Sequence, residues 1–164
     1  MFGLSTLGFV HTALSLIALA TGLVVVLGLV AGRRLDGWIA VYFVTAVLTD
    51  ATGFALPRDF DIVHWLGLAM AAALLAAILA RYAFGMAGRW RAVFAVATVA
   101  SVHVLMFFTI GEAFLRIPAL KPLAPTLTEP PFVLAQLSGL LLFGAMAVAA
   151  AVKCPATSAP LRRA

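Results

Sequence analysis

Six side chains inside or at the ends of long apolar runs carry chemistry: His11, Asp50, His64, His103, Glu112 and Gln136. Asp50 is the most demanding of them. It interrupts the segment AVLTDATGFALP, residues 46–57, and an ionised carboxylate at the centre of a lipid-embedded helix costs roughly 2.5–3.5 kcal/mol. Neutral imidazoles with a carboxylate suit zinc, copper or iron, which makes His11, His64 and Asp50 candidate metal ligands. One or two histidines facing a gap between helices could instead hold a haem. An Asp–His pair could also carry a proton or hydrogen-bond a small polar ligand.

The spacing argues for restraint. No H-x-x-x-H or H-x-x-E pattern puts two ligands on one helix, and the single cysteine, Cys154, excludes an internal disulfide and a thiolate zinc site. Its plain reading is a small apolar residue near a helix end. A Ser-His-Asp elbow, a P-loop and a dinucleotide fingerprint are all missing. Nucleophilic catalysis has no support, and the balance leans away from an enzyme.

The elements that must position these residues follow from composition. Of 164 residues, 65% are hydrophobic and 10% charged, with a mean hydropathy of +1.15. Soluble domains carry about 25% charged residues. Five apolar stretches, near 5–31, 38–56, 63–83, 92–116 and 132–152, each supply about 20 residues, enough to cross about 30 Å of hydrocarbon. The breaks between them hold Gly32 and Gly37 with Arg33 and Arg34, then Pro57 with three charges, then Gly85 and Gly88 with Arg89 and Arg91. The last break holds five of the eight prolines, and 153–164 is a polar tail. The expectation is an all-α polytopic membrane protein, a single bundle of five transmembrane helices over residues 1–152. The first run lacks a basic leader and is too long for a signal-peptide core, so it reads as a retained helix.

Charge sets the orientation. With five spans, one side receives Arg33, Arg34, Arg81, Arg89, Arg91, Lys153, Arg162 and Arg163, and the other only Arg58, Arg116 and Lys121. The positive-inside rule then puts the N-terminus outside and the C-terminal tail in the cytoplasm. Trp38, Trp65 and Trp90 fall at span ends, where interfacial aromatics sit. The net charge of +5 is mostly this signal, with attraction to anionic headgroups added. Nucleic acid is excluded as a partner, because no basic run exceeds two residues. The expected partners are the lipid bilayer and, beyond it, other proteins or further copies of the chain.

Depth narrows the cluster. At 1.5 Å per residue, Asp50 and His103 lie about 18–20 Å from the arginine-rich boundary, His64 and Gln136 about 25 Å, and His11 and Glu112 above about 30 Å. All six fall in the outer half. On the first helix Gly8, His11, Ser15, Ala18 and Gly22 form a stripe of mostly small residues, the expected packing face. His103 and Glu112 are about 180° apart around their helix and cannot face one point. Glu112 has a simple i,i+4 partner in Arg116. The expected ligand-binding set is therefore His11, Asp50, His64, His103 and Gln136, with Asp50 facing the bundle interior and contacting His64, His11 or His103 directly or through water.

LTDATGFALP and RIPALKPLAPTLTEPPFVLAQ, residues 116–136, resemble a group of small multi-span bacterial inner-membrane proteins of unassigned activity. Members of that group share a first-helix histidine, a T-G-F-x-x-P end to the second helix, a histidine opening the third, and an L-A-P-T-x-x-E-P-P-F loop. The matching positions are His11, Thr52 to Phe54 with Pro57, His64, and Arg116 through Phe132. The group has an uncharged residue where this chain has Glu112. The resemblance implies a multi-span fold in the bacterial inner membrane and brings no activity, substrate or cofactor.

The proline-rich loop is stiff and carries Leu120, Leu123 and Leu127. It is expected either to cap a cavity holding His11, Asp50, His64 and Gln136 or to act as a rigid connector. The function expected from these residues is binding of a metal, haem or small polar ligand by an outer-leaflet Asp/His cluster. The alternatives are a non-catalytic accessory or assembly subunit of a larger membrane complex and a proton-coupled carrier. The inner half offers a carrier no polar path.

Overall fold

The computed structural model describes residues 6–33, 35–56 and 61–154. Arg34, Pro57, Arg58, Arg162 and Arg163, which entered the charge and break arguments, lie outside the described residues. The described residues form helices and turns without strands. Helix α1 is Thr6–Val30, α2 Asp36–Phe54, α3 Ile62–Ile78, α4 Trp90–Arg116 and α5 Pro130–Lys153. A π-helical turn, Leu79–Ala83, extends α3, and a 3-10 turn, Lys121–Leu123, lies in the proline-rich loop. With that extension, all five are long and apolar enough to cross a membrane.

Local chemistry sets the ends. Helix α1 stops at Gly32, whose φ of 67° suits a residue without a Cβ. There the Arg33 N–H reaches back to the Gly28 carbonyl and the Gly32 N–H to Leu29, a Schellman closure. Helix α3 opens with a capping box in which the Asp61 carboxylate accepts from the Val63 N–H. Helix α5 opens on Pro130 and Pro131, positions where a missing N–H costs nothing.

Two ends of the bundle can be told apart. At the arginine end, Arg81 from the π-helical turn is folded inward. Its guanidinium donates to Asp36 at the start of α2 and lies 5.5 Å from the Tyr82 ring centre and 5.6 Å from that of Phe94. Cys154 is buried beside it. Burial pushes the thiol above its ordinary pKa, against the pull of Arg91 and Arg81, so it stays a neutral thiol. At the proline end, His11 lies against α2, Phe54 against His64, and Phe114 against Phe132.

The core is centred on α1, α2 and α4. The small-residue stripe of α1 faces inward: Gly8, Ala18 and Gly22 are buried. A Cβ on Gly22 would stand 2.8 Å from Val102 and 2.9 Å from Tyr42, so only glycine lets the three helices meet there. Tyr42, fully buried, bonds Ser101 at 2.6 Å. Because the Ser101 hydroxyl donates to the Thr98 carbonyl, the Tyr42 hydroxyl is the donor. Helix α5 is peripheral. It runs along α4, touches α1 over a shorter stretch, and leaves most of its apolar surface open.

Candidate functional site

The expected residues are spread over three seams: His11 between α1 and α2, Asp50 and His64 between α2 and α3, His103 and Gln136 between α4 and α5. His11, half-buried on α1, places Nδ1 3.1 Å from the Thr49 carbonyl and 3.1 Å from the Thr52 hydroxyl of α2. The Thr52 hydroxyl already donates to Leu48 at 2.7 Å, so Nδ1–H donates to the Thr49 carbonyl. His11 is a clasp between α1 and α2. Gly53 makes room for it, since a Cβ there would lie 3.3 Å from the imidazole.

His64 closes the α3 capping box. Its Nδ1 is 3.2 Å from the Asp61 backbone N and 3.1 Å from the Asp61 carboxylate. Its ring tilts against Phe54 at 5.7 Å. Asp50 is half-buried on the seam between α2 and α3, where Gly67 leaves space for its carboxylate and for the Phe54 ring. It makes no hydrogen bond or ion pair with any described residue. A direct Asp50–histidine bond is therefore not formed: His11 and His64 turn their Nδ1 atoms to other partners, and His103 lies on another seam.

Among the described residues no three His, Cys, Asp or Glu side chains converge closely enough to hold a metal ion. The candidate metal set of His11, His64 and Asp50 is dispersed for the same reason. Glu112 pairs with Arg116 one turn on, both exposed. The proline-rich loop packs its 3-10 turn on α4. A carboxylate pins it: Glu129 accepts from the Thr126 hydroxyl at 2.8 Å and from the Thr126 and Thr128 N–H groups. Desolvation, the largest single influence, raises its pKa, but these bonds together outweigh it and hold Glu129 below its ordinary value.

The structure does bring together His103 and Gln136. Both line a groove of about 300 Å³ between α4 and α5, with Phe107, Phe132, Val133, Leu137 and Leu140. Gln136 donates from Nε2 to the Phe107 carbonyl at 3.1 Å. That bond fixes the amide orientation, since a flipped amide would oppose two oxygens. Oε1 is left buried without a partner, and so is Nδ1 of His103. The His103 ring rests on Phe143 at 5.2 Å.

Buried polar atoms are normally satisfied. His103 and Gln136, the two polar residues in the groove lining, each hold one such buried atom without a protein partner. The groove wall is apolar and opens along the face of α5, where Leu137 and Leu140 are about half exposed. Its volume is at the low end of ligand pockets and matches one ring or one acyl segment better than a porphyrin. The sequence had marked both residues but placed them at different depths and had no means of pairing them. Comparisons with known protein families, curated proteins and solved structures return no match.

Proposed function

We propose that this chain is a multi-pass inner-membrane protein that binds a lipid-soluble ligand with one polar end in the groove between α4 and α5. The observation that carries this reading is an apolar groove whose lining includes two polar residues, His103 and Gln136, each with a buried polar atom that no protein group satisfies. An accidental gap between helices would be lined by apolar atoms alone, because an orphaned acceptor costs about 1–3 kcal/mol. Binding a small polar group is retained from the sequence reading. Its location moves from Asp50 and the two proline-end histidines to α4 and α5. A metal site of three protein ligands has no support among the described residues.

Mass spectrometry of small molecules co-purifying in mild detergent tests the reading. The wild-type protein should retain a discrete apolar compound above the bulk lipid, and Leu137→Trp, which fills the groove wall, should lose it. Retention of the same compounds by both proteins would overturn the reading. In the orientation proposed, the proline-rich loop faces the periplasm and the arginine end the cytoplasm, as the excess of Lys and Arg at the latter requires. In a Cys154→Ala background, Ala119→Cys should label from outside intact cells and Ala87→Cys should not. The reverse pattern would invert the topology.

A further inference from the structure

We infer that Asp50, with Phe54 beside it and the notch at Gly67, forms a second site, separate from the α4–α5 groove, that takes the cationic head of a lipophilic ammonium compound. Asp50 stands one turn before the end of α2, about 6 Å along the axis from Phe54. Neither of its carboxylate oxygens is bonded to a described residue or closed off from the surface. Val47 and Phe54, one turn to either side on the same face, are each 43% exposed. Across the seam on α3, Gly67 is half-buried and its neighbour Leu68 is about half exposed. The carboxylate therefore reaches the outer surface of the bundle, which is hydrocarbon when the five helices span a membrane. An ionisable side chain in such a span is a functional site by default, and the element this one lacks is a counter-charge.

The surroundings select the kind of cation. Asp50 Oδ1 and the Phe54 ring atoms Cε2 and Cζ all lie within 3.5 Å of one point, the position a Cβ on Gly67 would take. A carboxylate and an aromatic ring that meet at one place attract an ammonium by charge and by the ring quadrupole together. A metal ion is a poorer occupant. Hard cations take several oxygen ligands, and among the described residues no three His, Cys, Asp or Glu side chains converge. A tertiary or quaternary ammonium suits the seam better than a primary one, because it leaves fewer N–H donors unpaired among apolar side chains. Its alkyl chain would follow the exposed flanks at Val47 and Leu68. The shared chemistry is the ammonium; a free amphiphilic amine and a choline lipid headgroup are its two sources.

Equilibrium dialysis of the full-length protein in a nonionic maltoside detergent, with radiolabelled dodecyltrimethylammonium as probe and protein-free micelles subtracted, tests the site. The wild type should show saturable binding. Asp50→Asn should bind at least about tenfold more weakly, because it removes one partner of a charge pair, while its melting temperature is unchanged or higher. Asp50→Glu keeps the charge and should retain binding. Phe54→Leu should weaken it about threefold or more. On the wild-type protein, the uncharged amphiphile with carbon in place of the ammonium nitrogen should fail to compete, a comparison that needs no variant to fold. Competition by dodecylphosphocholine at equal concentration would name the lipid headgroup as the source, and its failure to compete the free amine; both uphold the ammonium. Unsaturable binding in the wild type, equal binding by Asp50→Asn, or full competition by the uncharged amphiphile overturns the inference, and none of these outcomes touches the α4–α5 groove.

Discussion

Asp50 shows how a residue can be conspicuous in sequence and solitary in structure. Its carboxylate lies on the α2–α3 seam without a protein partner, in space left by Gly67. A half-buried acid in that position lowers stability, and an amide of the same shape removes the charge at no cost in volume. Asp50→Asn should therefore melt at the same temperature as the wild type or higher. A loss above about 1 kcal/mol would mean that the carboxylate has a partner after all. Glu129 is the opposite case, an acid whose hydrogen bonds hold its folded pKa down. Its contribution to loop order is present above the ordinary glutamate pKa and fades as pH falls through the lower folded value. The amide shifts of Thr126 and Thr128 should titrate together below that ordinary range and become flat in Glu129→Gln. A midpoint at the ordinary value would show that the loop does not depend on these bonds.

Between helices, the buried Tyr42–Ser101 bond ties α2 to α4 where Gly22 brings α1 against both. The two ends of this bond are not equivalent. Tyr42→Phe removes the donor and leaves Ser101 still bonded to Thr98; the loss should be about 0.6 kcal/mol, typical of interhelical bonds in membranes. Ser101→Ala strands a phenol hydroxyl in the core and should cost about 1–3 kcal/mol. Thermal unfolding in detergent orders the two, and a larger loss for Tyr42→Phe would reverse the donor assignment. The helices themselves were legible in the sequence. Runs about 20 residues long, broken by Gly, Pro and Arg, place α2 near 38–56 against the observed Asp36–Phe54, and α4 near 92–116 against Trp90–Arg116. The seams were not legible. Rise per residue gives the depth of His11, Asp50 and His64, but the neighbour each one meets depends on helix rotation, and uniformly apolar faces record that weakly. His103 and Gln136 meet because the register of α4 on α5 is set by the loop of residues 117–129, a tertiary fact no local pattern contains.

The whole molecule divides into a tight bundle and an appended helix. Buried side chains concentrate in α1, α2 and α4, with α3 closing one side through Met70, Leu74 and Ala77. In α5 only Phe143 and Ala150 are buried. This imbalance bears on the function proposed above: with the five helices in a membrane, a peripheral α5 would leave the α4–α5 groove open to hydrocarbon rather than to water, the route by which a lipid-soluble ligand would enter. It also makes stability and binding separable. In a bilayer, helices that each satisfy their own backbone insert independently and then pack. A chain ending after Leu127 should thus keep the α1–α4 core, including the Tyr42–Ser101 bond, while losing half the groove wall and all ligand retention. Trypsin resistance of the truncated protein in liposomes, compared with the full chain, reads the first effect, and the co-purification assay reads the second. Rapid degradation of the truncated protein would show that α5 belongs to the folding core, and the division drawn here would fall with it.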